Sequence, residues 1–165
     1  MISISPPPFR IYLLRHAEAL HAARGQGDIE RPLSAYGQAE ADAVARRMVE
    51  KGYRPDVILA SPARRARETA EAVLRTLGGG VEMHTETALY NAGPNAYVAA
   101  ISSQAKDAVM LVGHNPTIEQ TLADLIGHEA LLTALPDGYP TAGLAVLDAD
   151  PARPAAWVLR DFLTG

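Results

Sequence analysis

Three apolar runs constrain this chain more than any other feature: Ile11 to Leu14, Val57 to Ala60 and Ala108 to Val112. Each is too short for an independent helix, and each stops abruptly at polar or turn-forming residues. Unbroken apolar runs of this length belong to strands buried on both faces, as in a parallel sheet. Parallel strands share a carboxyl end, and in open α/β sheets ligands bind in the crevice beyond it.

Between the runs lie stretches with helical spacing. From Tyr36 to Lys51 the positions Ala39, Ala43, Val44 and Met48 recur every three or four residues, with Ser34 as N-cap and Gly52 as stop signal. Ser61-Pro62 reads as the cap and first turn of a helix running to about Leu77, with Ala66, Ala70, Val73, Leu74 and Leu77 as its apolar stripe. Val81 to Met83 suggests a short strand, Pro94 opens a helix to about Ser103, and Ile118, Leu122, Leu125 and Ile126 mark one that ends at Gly127. Leu144 to Leu147 and Trp157 to Leu159 suggest an antiparallel hairpin at the sheet edge, and Ser5-Pro6-Pro7-Pro8 an extended lead-in. The expectation is an α/β fold, a three-layer α/β/α sandwich with a mostly parallel sheet and an antiparallel edge, in one domain over residues 1–165.

At 165 residues, 48% of them apolar, the chain can bury a sizeable core without staples. It has no cysteine, which excludes disulfides, thiolate metal sites and cysteine nucleophiles. A formal charge of −4 argues against general binding to nucleic acid or to an anionic membrane. Met1 to Pro8 lacks the features of a secretory signal, and no run reaches the ~18 apolar residues of a membrane span, so a cytoplasmic location is expected.

The polar residues at the strand ends are the candidates for chemistry. Arg15 and His16 follow the first run, Ser61 and Arg64, Arg65 and Arg67 the second, and Gly113-His114 the last. Guanidinium forks, imidazoles and helix N-termini converging on one rim suit a dianion such as phosphate. Arg64, Arg65 and Arg67 cannot all face that rim, since each helical step turns about 100°.

Arg15-His16 followed by a small residue, Arg31-Pro32-Leu33-Ser34 leading to Gly37, Ser61-Pro62 with Arg65-Ala66 and Thr69, and Gly113-His114 together resemble the motifs of the histidine phosphatase superfamily, in its order. The compact length and Ala17-Glu18-Ala19 are similar to its SixA-like phosphohistidine phosphatase branch. The resemblance implies a phosphoglycerate mutase-like fold and a metal-independent, cofactor-free phosphatase. It makes His16 the nucleophile, which forms a phosphohistidine intermediate, with Arg15 and Arg65 clamping phosphate oxygens and His114 stabilising developing charge. It singles out Arg65 among the neighbouring arginines, leaving Arg64 and Arg67 solvated beside Glu68 and Glu71. Arg31, Glu18 and Ser61 are candidate substrate contacts, although Ser61 could equally be a cap and Glu18 a loop carboxylate. Asp28 and Arg31 could both shape the phosphate mouth, and Arg31 is the one chosen.

Larger members of the superfamily carry a general-acid glutamate where this chain's register places Ala88, so Glu86 is the candidate acid here. Its absence would matter less for one substrate class. An alkoxide needs a proton to leave, whereas a protonated phosphoimidazole releases neutral imidazole, whose conjugate acid has a pKa of about 6.5. The expected substrate is therefore phosphohistidine in a protein partner, with a role in signal transduction. The alternatives are a broad small-molecule phosphomonoesterase or mutase-like enzyme, and a non-catalytic phosphate-recognition module. His21, His84 and His128 read as surface histidines, Asn115 as a cap and Trp157 as core.

Overall fold

The computed structural model describes residues 3–165. Its strands are β1 (Arg10–Arg15), β2 (Val57–Ala60), β3 (Glu82–Thr85), β4 (Ala108–Gly113), β5 (Leu144–Ala149) and β6 (Trp157–Leu163). They form one six-stranded sheet in the order β3-β2-β4-β1-β5-β6. The first four are mutually parallel, while β5 runs antiparallel to β1 and β6 antiparallel to β5. The parallel sheet with an antiparallel edge hairpin thus matches the sequence reading.

Alternate residues of the central strands feed two cores. Tyr12, Leu14, Ile58, Ala60, Met110 and Val112 pack with α1 (Ala35–Glu50) and α2 (Arg64–Leu77) on one face. Ile11, Leu13, Val57, Leu59, Val109 and Leu111 pack with α3 (Pro94–Ser102), α4 (Thr117–Ile126) and α5 (His128–Ala134) on the other. Burial on both faces is why these strands show no alternation of apolar and polar residues. No helix among the described residues is long and apolar enough to cross a membrane.

Several details correct the sequence reading. The buried stripe of α1 is Gly37, Ala41, Val44, Ala45 and Met48, not the face through Ala39 and Ala43. Alanine recurs on every side of this helix, so Val44 and Met48 alone set the direction. Helix α2 starts at Arg64 with Ala63 as its uncapped N-cap, and Ser61 lies ahead of it, fully buried. Pro116, not Asn115, precedes α4, again without a side-chain cap. Strand β3 begins at Glu82 and is mostly exposed, so its burial pattern is weak, and α5 was not foreseen. Trp157 is core, as expected, and its indole N–H donates to the Ile4 carbonyl at 3.1 Å.

The topology creates the crevice. β1 and β4 are neighbours in register, Arg15 beside Gly113. From β1 the chain passes to α1 on one face of the sheet, and from β4 to α4 on the other. A gap opens where adjacent connections part to opposite faces. His16 and His114 are the first residues beyond those two strand ends, and the His16 N–H donates to the Gly113 carbonyl at 3.0 Å.

Candidate active site

A cleft of about 360 Å3 occupies this switch point. Arg15, His16, Arg31, Arg65 and His114 line it together with Tyr90, Asn91, Ala92, Tyr97 and Asn115. Strand ends β1 and β4 and the first turn of α2 therefore deliver their side chains to one place.

The two imidazoles lie 5.2 Å apart, centroid to centroid. His16 Nδ1 is 2.7 Å from the Ala17 carbonyl. A carbonyl can only accept, so Nδ1 carries the proton and Nε2 keeps its lone pair. Among the described residues Nε2 makes no hydrogen bond. Burial pushes the His16 pKa down to about 3, and the nearby His114, Arg65 and Arg15 act in the same direction. His114 is lowered to about 4, first by burial and then by Arg65 and Arg15. Both rings are neutral at neutral pH.

His114 is held from two sides. Its backbone N–H donates to the Tyr97 hydroxyl at 2.9 Å, and its ring Nε2 lies 2.7 Å from Ser61 Oγ. Residue 113 must be glycine for this approach, because a Cβ there would overlap the Tyr97 ring. His114 Nδ1 and Arg15 Nε are buried without a protein partner. Such groups are costly in isolation and suit an anion that brings its own acceptors.

The guanidinium groups are oriented by backbone and carboxylate. Arg65 is 7% exposed, and its terminal nitrogens donate to the Asp28 carbonyl at 2.9 Å and to Asp28 Oδ2 at 3.1 Å. Arg31 donates to Asp28 Oδ1 at 3.1 Å and to the Leu20 carbonyl at 2.8 Å. Arg15 donates to the Tyr139 carbonyl at 2.6 Å. The Tyr90 hydroxyl donates to Asp28 Oδ2 at 2.6 Å. This bond, with those from Arg31 and Arg65, holds the Asp28 carboxyl far below the usual carboxylate range.

Three candidate residues stand elsewhere. Ser61 sits behind His114, outside the cleft lining, so it touches the imidazole and not the cleft. Glu18 is exposed; its carboxylate accepts from the Ser34 hydroxyl at 2.9 Å, and it neither lines the cleft nor pairs with Arg31. Glu86 also stays out, because the loop brings Leu89 to Ala92 to the cleft instead. Arg64 and Arg67 are exposed, and Arg64 meets Glu68 at 3.4 Å. His21, His84 and His128 are exposed.

Two residues at the site escaped the choice made from sequence. A signal existed for Asp28, since a buried guanidinium requires an anionic partner and the long loop before Arg31 carries that carboxylate. Tyr90 had none, as it lies in a loop without periodicity. Among the described residues no group of three or more His, Asp or Glu side chains is placed to hold a metal ion.

The model of the histidine phosphatase superfamily (branch 1) matches residues 11–93, which include Arg15, His16, Arg31 and Arg65. An uncharacterized chloroplastic protein of Arabidopsis thaliana is 31% identical over 72% of this chain, and the match spans 59% of that protein's own length. A crystal structure of a candidate phosphohistidine phosphatase, SixA, from Agrobacterium tumefaciens is 45% identical, covers 96% of this chain and 99% of that one, and superposes with a TM-score of 0.89. A candidate α-ribazole-5′-phosphate phosphatase from Escherichia coli shares the fold at 19% identity and a TM-score of 0.70, covering 95% and 97% of the two chains. With paired histidines and arginines at the parting of β1 and β4, and with that family model spanning half its length, the chain belongs to the histidine phosphatase superfamily.

Proposed function

We propose that this protein is a metal-independent phosphatase that works through a phosphorylated His16, and that its substrate is phosphohistidine in a partner protein. The proton inventory of the cleft supports the reading. Its lining contains arginines and neutral histidines and no carboxylic acid. Asp28, the carboxylate beside it, is held ionised by Tyr90, Arg31 and Arg65 and has no proton to give. A site so arranged favours a leaving group that needs none. The 45% identical Agrobacterium structure carries the same substrate in its name.

Each residue has a physical role in this mechanism. Arg15, Arg65 and Arg31 hold the phosphoryl oxygens. The His16 Nε2 lone pair attacks phosphorus, the P–N bond breaks, and the departing imidazole keeps the bonding pair and the proton it already bore. The Ala17 carbonyl, accepting from Nδ1, steadies the positive charge that spreads onto the His16 ring. His114 and the arginines lie where negative charge grows on the equatorial oxygens, the main help a protein can give to phosphoryl transfer. Water then attacks phosphorus on phosphorylated His16, the P–Nε2 bond breaks with its pair returning to Nε2, and the water protons leave with inorganic phosphate, restoring neutral His16.

The test is rapid acid-free quenching with radiolabelled phosphohistidine peptide. Wild-type protein should yield acid-labile, base-stable label, and His16→Ala should yield none and lose turnover. Full activity in His16→Ala overturns the mechanism. Faster turnover of a phosphomonoester than of phosphohistidine, compared by kcat/KM, overturns the substrate assignment in favour of a small-molecule phosphomonoesterase.

A further inference from the structure

Tyr90 is a cleft residue without a part in the mechanism above, yet it is fixed more firmly than a loop side chain needs to be. It follows the single helical turn Thr87–Leu89, and Asn91, in the left-handed region at φ 53°, bends the chain away directly after it. Its ring packs against His114, with centroids 5.9 Å apart and planes at 73°. Its hydroxyl reaches across to Asp28, the carboxylate that also orients Arg65. The ring is thus tethered at both ends: against an imidazole that lines the cleft, and to the partner of the clamping arginine. The phenol already donates its proton to an ionised carboxylate, so it is not the missing acid. What remains free to act is the aromatic surface beside the point where the phosphoryl group would be held.

We infer that Tyr90 is the residue that selects a planar aromatic leaving group, the imidazole of a phosphorylated histidine side chain, at this site. The inference rests on the phosphohistidine reading and adds the residue that enforces it. An aromatic ring recognises another ring through offset or edge contacts, a preference that a branched aliphatic side chain lacks. The ring, packed against His114, supplies the discrimination.

Two phosphorus–nitrogen compounds separate these contributions. Phosphoimidazole releases imidazole and phosphoramidate releases ammonia, so the ratio of their kcat/KM values reads recognition of the ring. Relative to wild type, Tyr90→Leu should lower that ratio about three- to tenfold, while Tyr90→Phe, which keeps the ring, should hold it within about twofold. An unchanged ratio in Tyr90→Leu assigns the side chain a packing role only and overturns the inference. An equal fall in Tyr90→Phe also overturns it, since the hydroxyl and not the ring would then discriminate. Thermal melts confirm that each variant is folded before rates are compared. Failure of the wild type to cleave either compound while it cleaves a phosphomonoester is a different result: it removes the phosphohistidine reading itself.

Discussion

A histidine that attacks a phosphoryl dianion must be deprotonated, yet it sits among arginines chosen to attract that dianion. Here the requirements agree. Burial, His114 and the arginines all disfavour a second proton on His16, so the field that would draw phosphate in also keeps the proposed nucleophile ready. His114 shares that environment, and burial again leads. The consequence for stability has a definite sign. With folded pKa values of about 3 and 4, against about 6.5 in the unfolded chain, the unfolded state holds more protons through the mildly acidic range. Stability from these two groups is therefore complete above about pH 6.5 and is lost as pH falls toward the folded values. The ring C–H resonances of His16 and His114 should stay flat in an NMR titration from about pH 7.5 to 5. Unfolding free energy should fall over the same range, with a shallower slope in the double variant His16→Asn with His114→Asn. A midpoint near 6.5 for either ring would show that burial does not control it.

At the scale of elements, α1 is tied to the stretch that carries His16. Ser34 caps the helix by accepting from the Gly37 N–H at 2.9 Å, and its hydroxyl donates to the Glu18 carboxylate. The Ser34 N–H donates to the Glu18 carbonyl at 3.0 Å, and the Glu18 N–H donates to Glu40 Oε1 at 3.0 Å. Gly37 faces this joint so closely that a Cβ would overlap the Glu18 carbonyl. Glycine to alanine inside a helix ordinarily gains ~1 kcal/mol. For Gly37→Ala the sign should reverse, with a loss on the order of 1–3 kcal/mol from overpacking and a fall of several degrees in Tm. Because Glu18 stands two residues from His16, kcat should fall as well, while Ser34→Ala should cost only about 1 kcal/mol. A stabilised or fully active Gly37→Ala variant would remove the joint from the account. The same joint explains one misreading. From sequence Glu18 is a candidate to line the cleft or orient Arg31, but its carboxylate faces a helix cap. Elements with one strong signal, such as β4 and the stop of α4 at Gly127, were legible; the face of α1 was not, because alanine gives no direction.

Across the whole molecule the site exists because strands distant in sequence end side by side. Arg15, His16 and His114 were legible in that logic, as each stands directly at a strand end. Arg65 emerged from its motif and from helical geometry. Asp28 and Tyr90 were hard to choose because their partnership spans 62 positions and depends on where two loops meet. The assembled charge has one more consequence. A bound dianion offsets the positive field that Arg65 and Arg15 place on His114, and so favours its protonated form. Binding should then take up a proton, and by reciprocity a lower pH should tighten binding. Sulfate separates this effect from ligand ionisation, since it stays a dianion throughout the range. At about a hundred times its dissociation constant a ligand stabilises the fold by about 2.7 kcal/mol, which for a chain of this size raises Tm by several degrees. At a fixed sulfate concentration the rise in Tm should be larger at about pH 5.5 than at about pH 7.5. Chloride at matched ionic strength should give neither the rise nor its pH dependence. An equal rise at the two pH values would mean that both histidines stay neutral with the anion bound, leaving the arginines alone to hold it.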